Sequence, residues 1–162
     1  MSENAMVRVL FVCLGNICRS PSAEAVFRDL VAREGLEGQI GTDSAGTGAW
    51  HIGNPPDPRA QQVAGRYGIA MADLRARQVT TRDFADFDYI LGMDNSNLAN
   101  LHRLRPESHA GHVSLMLDFS DAADGEIPDP YYGDLSDYEA VFELLLPAAR
   151  GLLDHIRSTH NL

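Results

Sequence analysis

The sequence predicts an α/β fold: a single doubly wound domain with a mostly parallel four-stranded sheet and helices on both faces. Short apolar segments rich in β-branched residues alternate along the chain with segments of helical periodicity. The apolar segments have the composition of strands buried on both faces, as in a parallel sheet. A chain of 162 residues without repeats or a linker fits one domain, residues 1–162, with residues 1–6 and 160–162 expected to be loose.

The first strand and the first helix are the clearest elements. Nearly every side chain is apolar in residues 7–12, which predicts the first strand. After a short loop, a helix is expected to begin with Ser20 as N-cap and Pro21 at the first helical position. Gly35 is suited to end this helix. The helix has an apolar face with i, i+3, i+4, i+7 and i+8 spacing, formed by Ala23, Val26, Phe27, Leu30 and Val31.

The middle of the chain continues the alternation of strands and helices. The elements predicted there are strands at residues 39–44, 88–93 and 112–116 and helices at 59–67 and 96–104. Strands that alternate with helices in this way are typical of a parallel sheet.

The last part of the chain combines a long loop with a long helix. Residues 119–134 show no periodicity, and a loop of this length in a compact domain is usually functional or disordered. The apolar positions from Tyr138 to Ile156 predict a final helix. Pro147 interrupts that helix and is expected to kink or split it.

Composition and charge exclude several classes of function. The formal charge of −10 argues against a nucleic-acid backbone or an anionic membrane surface as partner. No run approaches the ~18 consecutive apolar residues of a membrane span, and the acidic start does not resemble a signal peptide, which favours a cytoplasmic location. The two cysteines lie close together and the six histidines are scattered, so we expect no metal site and no cofactor.

The segment with the strongest chemical signal is residues 12–21. It places Cys13 at the end of a buried strand and Arg19 six residues later, just before a helix. Open α/β sheets bind ligands at the carboxyl ends of their strands. A loop that leads into a helix there points its N–H groups inward and adds the positive end of the helix dipole. The sequence therefore predicts an anion-binding loop inside an acidic protein.

This loop has the residue types that phosphoryl transfer requires. An electropositive loop favours the thiolate of Cys13, which could attack phosphorus and form a phosphocysteine. The planar guanidinium of Arg19 can hold two phosphate oxygens, and Ser20 can donate a hydrogen bond to the sulfur. The remaining residues expected to bind phosphate are Leu14, Gly15, Asn16, Ile17 and Cys18. Gly15 and Asn16 can adopt the positive φ values of a tight loop.

The reaction also needs a proton donor for the leaving group. Asp129 stands between two prolines that restrict its backbone, and it is the candidate. The alternative interpretation is an ordinary Asp-Pro turn with solvated charges.

Together these segments resemble the low-molecular-weight protein tyrosine phosphatases, and the resemblance covers nearly the whole chain. It implies a single phosphatase domain that removes phosphate from phosphotyrosine-containing proteins, with redox regulation. Several motifs in the right order carry the resemblance, and they are residues 10–21, 43–47, 56–60, 76–78, 93–98 and 129–132.

The resemblance implies a supporting role for three polar residues near the loop. Asn16, Ser20 and Ser44 would form the hydrogen-bond network that holds the loop in shape. This chain departs from the family at Leu74, where a histidine that supports the network often stands.

The resemblance also implies roles for a second thiol and for aromatic residues. Cys18 would form a reversible disulfide with Cys13 under oxidation. Trp50, Tyr131 and Tyr132 would wall a cleft deep enough for an aryl phosphate. The alternatives are a partly buried loop anchor for the tryptophan and surface packing for the tyrosines.

Three other functions fit parts of the same pattern. Arsenate reduction would need further cysteines downstream, and the sequence has none after Cys18. Family members that hydrolyse phosphoarginine have threonine where Ile17 stands here. A non-catalytic phosphotyrosine-binding module would have no need to retain Cys13, Arg19 and Asp129 together.

Overall fold

The computed structural model describes residues 6–121 and 125–162. Its central sheet has the strand order β2-β1-β3-β4, and every pairing is parallel. The order reverses between β1 and β3, which is the point where doubly wound sheets bind ligands. The predicted fold class is therefore confirmed. The four strands are β1 (Val7–Cys13), β2 (Ile40–Gly46), β3 (Tyr89–Gly92) and β4 (His112–Leu115).

Helices cover both faces of this sheet. In β1, Phe11 packs into the core that contains the first, second and last helices, and Leu10 and Val12 pack into the core on the other face. Two four-residue elements were not predicted, because so few residues show no periodicity. The helices are α1 (Arg19–Arg33), α2 (Pro58–Arg66), α3 (Asp83–Asp86), α4 (Asn95–Leu104) and α5 (Leu135–His160), with a 3₁₀ turn at Met116–Phe119.

The start of α1 differs from the prediction. The N-cap is Cys18, which makes no side-chain capping bond, and the helix already begins at Arg19. The prediction that Ser20 caps the helix is wrong, because its hydroxyl instead contacts the loop that precedes the helix. The end of α1 is as predicted: Gly35 follows the last turn with φ of 72°.

The helix α5 is continuous through Pro147, so the prediction that this proline splits it is wrong. Proline removes the donor for the carbonyl four residues earlier, at Glu143. Both residues lie on the exposed side of the helix, where water can satisfy that carbonyl.

Of the two chain ends that were expected to be loose, the structure describes all of residues 160–162 but only Met6 of residues 1–6. Residues 1–5 lie outside the described part of the chain, and Met6 is exposed. At the other end, His160 is the last residue of α5, and the Leu162 N–H donates to the Arg157 carbonyl at 3.0 Å. Within residues 6–121 and 125–162, no helix is both long enough and apolar enough to cross a membrane.

Candidate active site

The thiol of Cys13 lies at the carboxyl end of β1, where the chain enters the loop of residues 14–18. It is buried, with 3% of the residue exposed. The Asn16 N–H donates to Cys13 Sγ at 3.3 Å, and Ser20 Oγ lies 3.0 Å from the same sulfur. Both groups can donate a hydrogen bond to this sulfur.

The side chain of Asn16 connects the loop to its surroundings. Its Nδ2 donates to Ser20 Oγ at 2.8 Å and to Ser44 Oγ at 3.1 Å, and its Oδ1 accepts from the Arg77 N–H at 3.0 Å. Asn16 has φ of 58°, whereas Gly15, the other residue expected at positive φ, does not. Asparagine tolerates this left-handed conformation better than most residues. The network thus fixes the one left-handed residue of the loop.

The last residue of β2, Gly46, and the two residues that follow it pack against the loop and support it. The N–H groups of Thr47 and Gly48 donate to the carbonyls of Cys13 and Leu14, each at 2.9 Å. Gly46 brings the backbone so close that a Cβ placed on it would lie 2.8 Å from the Leu14 carbonyl oxygen. Only glycine permits this approach, so β2 has no room for a side chain where it supports the loop.

The network ends at a buried carboxyl group that the sequence did not single out. The Ser44 hydroxyl donates to Glu24 Oε1 at 2.7 Å, and Glu24 is 5% exposed. Burial raises the pKa of Glu24 to about 7, although the bond from Ser44 opposes the shift. Leu74, at the position where the resemblance leads us to expect a histidine, is partly buried against the larger apolar core. An apolar side chain at that position offers no hydrogen bond to the network.

The raised pKa of Glu24 predicts a pH dependence of stability. A carboxyl group whose pKa is raised by folding contributes to the free energy of unfolding. For Glu24 this contribution is fully present below pH 4.5, the ordinary pKa of the group, and it is lost as the pH rises through about 7. Replacement by glutamine removes the titration but keeps an acceptor for Ser44. We expect the free energy of unfolding of Glu24→Gln, relative to the parent, to increase by about 3 kcal/mol from pH 4.5 to pH 8.

Urea denaturation of both proteins across this pH range measures the difference. The matched control is Glu37→Gln, which removes an exposed carboxylate from the loop after α1. A parent-to-variant difference for Glu24 that stays constant with pH would contradict the assignment.

The guanidinium of Arg19 is buried below the cleft and held by two groups. Its Nη1 donates to Asp94 Oδ2 at 2.7 Å and to the Ile127 carbonyl at 3.0 Å. Burial opposes its charge, but the neighbouring Cys13 sulfur and Asp94 outweigh burial and raise the pKa of Arg19. The orientation of the Arg19 guanidinium is therefore fixed, and the group stays positively charged.

Asp94, which sequence reasoning did not single out, has two roles in this arrangement. Its Oδ1 accepts the Asn97 N–H at 2.8 Å and caps α4, while its Oδ2 binds Arg19. It directly follows β3, the strand beside β1, so the topology brings the two residues together. The role of Asp94 as a helix cap could be predicted from the sequence. Arg19, the second partner of its side chain, lies 75 residues away.

Asp129 lies at the mouth of the same cleft. Its Oδ1 accepts the Tyr131 N–H at 3.1 Å, and its Oδ2 lies 3.7 Å from Arg19 Nη2. The side chain is 42% exposed. The structure therefore brings Asp129, which is 110 residues from Arg19 in the sequence, to the same cleft as Cys13 and Arg19.

A second arginine, also missed from the sequence, holds the segment after Asp129. Arg59 donates to the carbonyls of Tyr131 and Gly133 at 3.0 and 2.9 Å. The same guanidinium forms an ion pair with Asp57 at 2.9 Å, and this carboxylate also caps α2. These bonds connect the Asp129 segment to the start of α2. They restrict the segment in addition to the two prolines that flank Asp129.

The cleft has a volume of about 370 Å³, which suits an aryl phosphate. Trp50 is 69% exposed beside it, so the tryptophan is not a buried loop anchor. Tyr131 is 37% exposed and Tyr132 96% exposed, and their rings meet edge to face at 4.9 Å. His51, which was not predicted, also lines the cleft and lies 6.2 Å from the Tyr131 ring.

Cys18 lies at the far side of the loop, and both cysteines are free thiols. Its Sγ lies 3.2 Å from the Tyr138 hydroxyl. Burial raises the pKa of Cys18 to about 12, so this thiol is protonated at neutral pH. Formation of the expected disulfide with Cys13 would require Cys18 to lose its proton as it attacks the oxidised sulfur.

Over residues 6–121 and 125–162, no group of three or more histidine, cysteine, aspartate or glutamate side chains is placed to hold a metal ion. The charged side chains that line the cleft are those of Arg19 and Asp129.

Comparison with known proteins identifies the arrangement. A family model described as low molecular weight phosphotyrosine protein phosphatase matches residues 8–161. The chain belongs to this family. The low molecular weight protein-tyrosine-phosphatase YfkJ of Bacillus subtilis is 46% identical over 158 residues, which cover 97% of this chain and all of the relative. The human low molecular weight phosphotyrosine protein phosphatase is 46% identical over 156 residues, covering 95% of this chain and 98% of the relative.

Solved structures of the family have the same fold. The crystal structure of YfkJ from Bacillus subtilis superposes with a TM-score of 0.90 at 45% identity, covering 98% of this chain and 99% of that one. A Drosophila member described as an arginine phosphatase superposes with a TM-score of 0.86 at 34% identity, covering 92% of this chain and 97% of that one. Members of this phosphatase family thus differ in the substrate that their descriptions name.

Proposed function

We propose that the chain is a protein tyrosine phosphatase that hydrolyses phosphotyrosine in protein substrates through a phosphocysteine intermediate. The observation that carries this proposal is the convergence of Cys13, Arg19 and Asp129 on one cleft with aromatic walls. Membership in the low molecular weight phosphotyrosine protein phosphatase family supports it. Residues 1–162 act as a single phosphatase domain, and two reduced thiols suit the cytoplasm.

In the first step, the Cys13 sulfur donates an electron pair to phosphorus. The bond from phosphorus to the tyrosine oxygen breaks, and the departing oxygen takes a proton from Asp129. Arg19, held by Asp94, binds the phosphate oxygens on which negative charge is spread in the transition state. The N–H groups of the loop at residues 14–18, together with Ser20, bind the phosphate as an anion.

In the second step, a water molecule attacks phosphorus and the S–P bond breaks. Asp129, now a carboxylate, accepts a proton from that water. The electron pair returns to Cys13 as a thiolate, which is stabilised by the Ser20 hydroxyl at 3.0 Å and the Asn16 N–H at 3.3 Å. Inorganic phosphate then leaves, and the enzyme is restored without any cofactor.

The walls of the cleft favour an aromatic phosphoester. Trp50 and Tyr131 can contact the two faces of a phenyl ring, and Ile17 adds an apolar side chain to the lining. Phosphoarginine has a charged guanidinium in place of that ring, and an isoleucine offers it no hydrogen bond. This supports phosphotyrosine as the substrate.

A matched set of peptides tests the substrate class. We expect kcat/KM for a phosphotyrosine peptide to exceed that for the same peptide with phosphoserine or phosphoarginine by ~10²-fold or more. The reason is that groups of the site that match one substrate are left without partners when another substrate binds. Ile17→Thr is expected to narrow the gap between phosphotyrosine and phosphoarginine. Turnover of phosphoarginine equal to that of phosphotyrosine in the parent enzyme would overturn the proposed specificity.

A further inference from the structure

A second pocket lies beside the catalytic cleft and shares two residues with it. Leu14 and Trp50 line both cavities, so they form a common wall. The second pocket has a volume of about 350 Å³. Its other lining residues come from the segment after β2 and from the end of α4, and they are Thr47, Gly48, Asn100, Arg103 and Leu104.

The common wall depends on a close contact between Trp50 and a glycine. A Cβ placed on Gly48 would lie 1.8 Å from the indole ring, so the ring rests directly on the backbone at this position. The indole is nevertheless 69% exposed. Leu14, at 42%, and Leu104, at 36%, are also among the exposed large apolar side chains. The pocket therefore presents an apolar surface next to the cleft without burying it.

The charge of this pocket is opposite to that of the protein. The chain carries a formal charge of −10, but the residues that line the pocket include a cation and no carboxylate. The Arg103 guanidinium donates to the Asn100 side chain, and in the described part of the chain it forms no ion pair. Thr47 Oγ1 is buried there without a hydrogen-bond partner among the described residues. The local chemistry suits a ligand with an apolar stem and a negative end.

We infer that this pocket binds a side chain that flanks phosphotyrosine in the protein substrate, and that Arg103 selects an acidic residue there. The inference rests on the proposed function, because it takes the ligand to be a peptide held by its phosphotyrosine. An extended peptide advances about 3.3 Å per residue. Because the two pockets share the wall formed by Leu14 and Trp50, a residue close to the phosphotyrosine can lie in the second pocket.

The expected preference is modest. The Arg103 side chain is exposed, and exposed ion pairs are screened by water and salt. We expect an aspartate at the position that reaches the pocket to raise kcat/KM about fivefold over asparagine. The general negative charge of the protein acts in the other direction, because it repels an acidic peptide wherever the acid is placed.

The test uses phosphotyrosine peptides that differ only by aspartate or asparagine at one position at a time on either side of the phosphotyrosine. The parent should favour aspartate at one such position, Arg103→Gln should abolish this preference, and Arg103→Lys should retain part of it. The matched control is Arg82→Gln, which removes the same charge from an arginine whose side chain is 85% exposed and which lines neither pocket. That control should keep the preference.

Two results would overturn the inference: no position at which the parent favours aspartate, or a preference that survives in Arg103→Gln. Turnover of p-nitrophenyl phosphate, which has no flanking residue, separates this failure from a failure of the proposed function. We expect Arg103→Gln to hydrolyse it as the parent does. If the parent itself does not hydrolyse p-nitrophenyl phosphate, the proposed function is wrong. The inference about the second pocket, which rests on that function, is then wrong too.

Discussion

Replacement of Cys13 by serine is expected to reduce phosphotyrosine turnover by about 10⁴-fold or more while the fold persists. A serine hydroxyl in this loop keeps its proton and is a far weaker nucleophile than a thiolate. The change is nearly isosteric, and the Asn16 N–H, which now donates to the sulfur at 3.3 Å, can donate to the new oxygen. The loss should therefore come from the chemical step and not from the structure.

Steady-state kinetics with a phosphotyrosine peptide measures the loss. Thermal unfolding and inorganic phosphate binding, followed by calorimetry, serve as controls because both depend on the loop and not on the nucleophile. Activity of the variant within a factor of ten of the parent would show that another group attacks phosphorus.

Replacement of Asp129 by asparagine is expected to lower turnover of phosphotyrosine by ~10²–10⁴-fold. Asparagine keeps an oxygen that can accept the Tyr131 N–H, now at 3.1 Å, so the segment should retain its shape. It carries no proton that it can release to the departing oxygen. The cost in kcat/KM, which reports the steps up to release of the leaving group, should be much smaller for p-nitrophenyl phosphate, because p-nitrophenol departs without protonation.

A series of aryl phosphates with leaving groups of increasing basicity measures this dependence. Asp121→Asn, an exposed carboxylate that does not line the cleft, is the control for the loss of one negative charge. If Asp129→Asn causes a small loss that is the same for every leaving group, Asp129 is part of an ordinary turn and the proton donor is another residue.

The loop at residues 14–18 could be predicted because its parts are adjacent in sequence. An apolar strand, a cysteine, an arginine six residues later and a helix start all lie within a segment of about fifteen residues, and local geometry then places them. The apolar cores of the sheet followed from the same kind of pattern. Three details of this segment were wrong. Ser20 contacts the loop instead of capping the helix, Pro21 is the third helical residue instead of the first, and Gly15 does not have a positive φ.

The groups that hold the site in place could not be predicted in this way. Asp94, Arg59 and Glu24 are each ordinary in their own segment: a helix cap, a residue in the first turn of a helix and a polar position on a helix. Their roles depend on partners 20 to 75 residues away. Pro147 illustrates the opposite error, because a strong local rule was overridden by exposure of the carbonyl that proline leaves unpaired.

The phosphocysteine intermediate is the central claim, and trapping it is the most direct test. In Asp129→Asn, p-nitrophenyl phosphate should still phosphorylate the enzyme, whereas hydrolysis of the intermediate should be slow because water lacks its base. The reaction is stopped by rapid denaturation, and the peptide with the modification is located by mass spectrometry. We predict one phosphoryl group on Cys13 and a matching burst of p-nitrophenol. A burst with the phosphoryl group on another residue, or turnover with no phosphorylated enzyme, would contradict the mechanism.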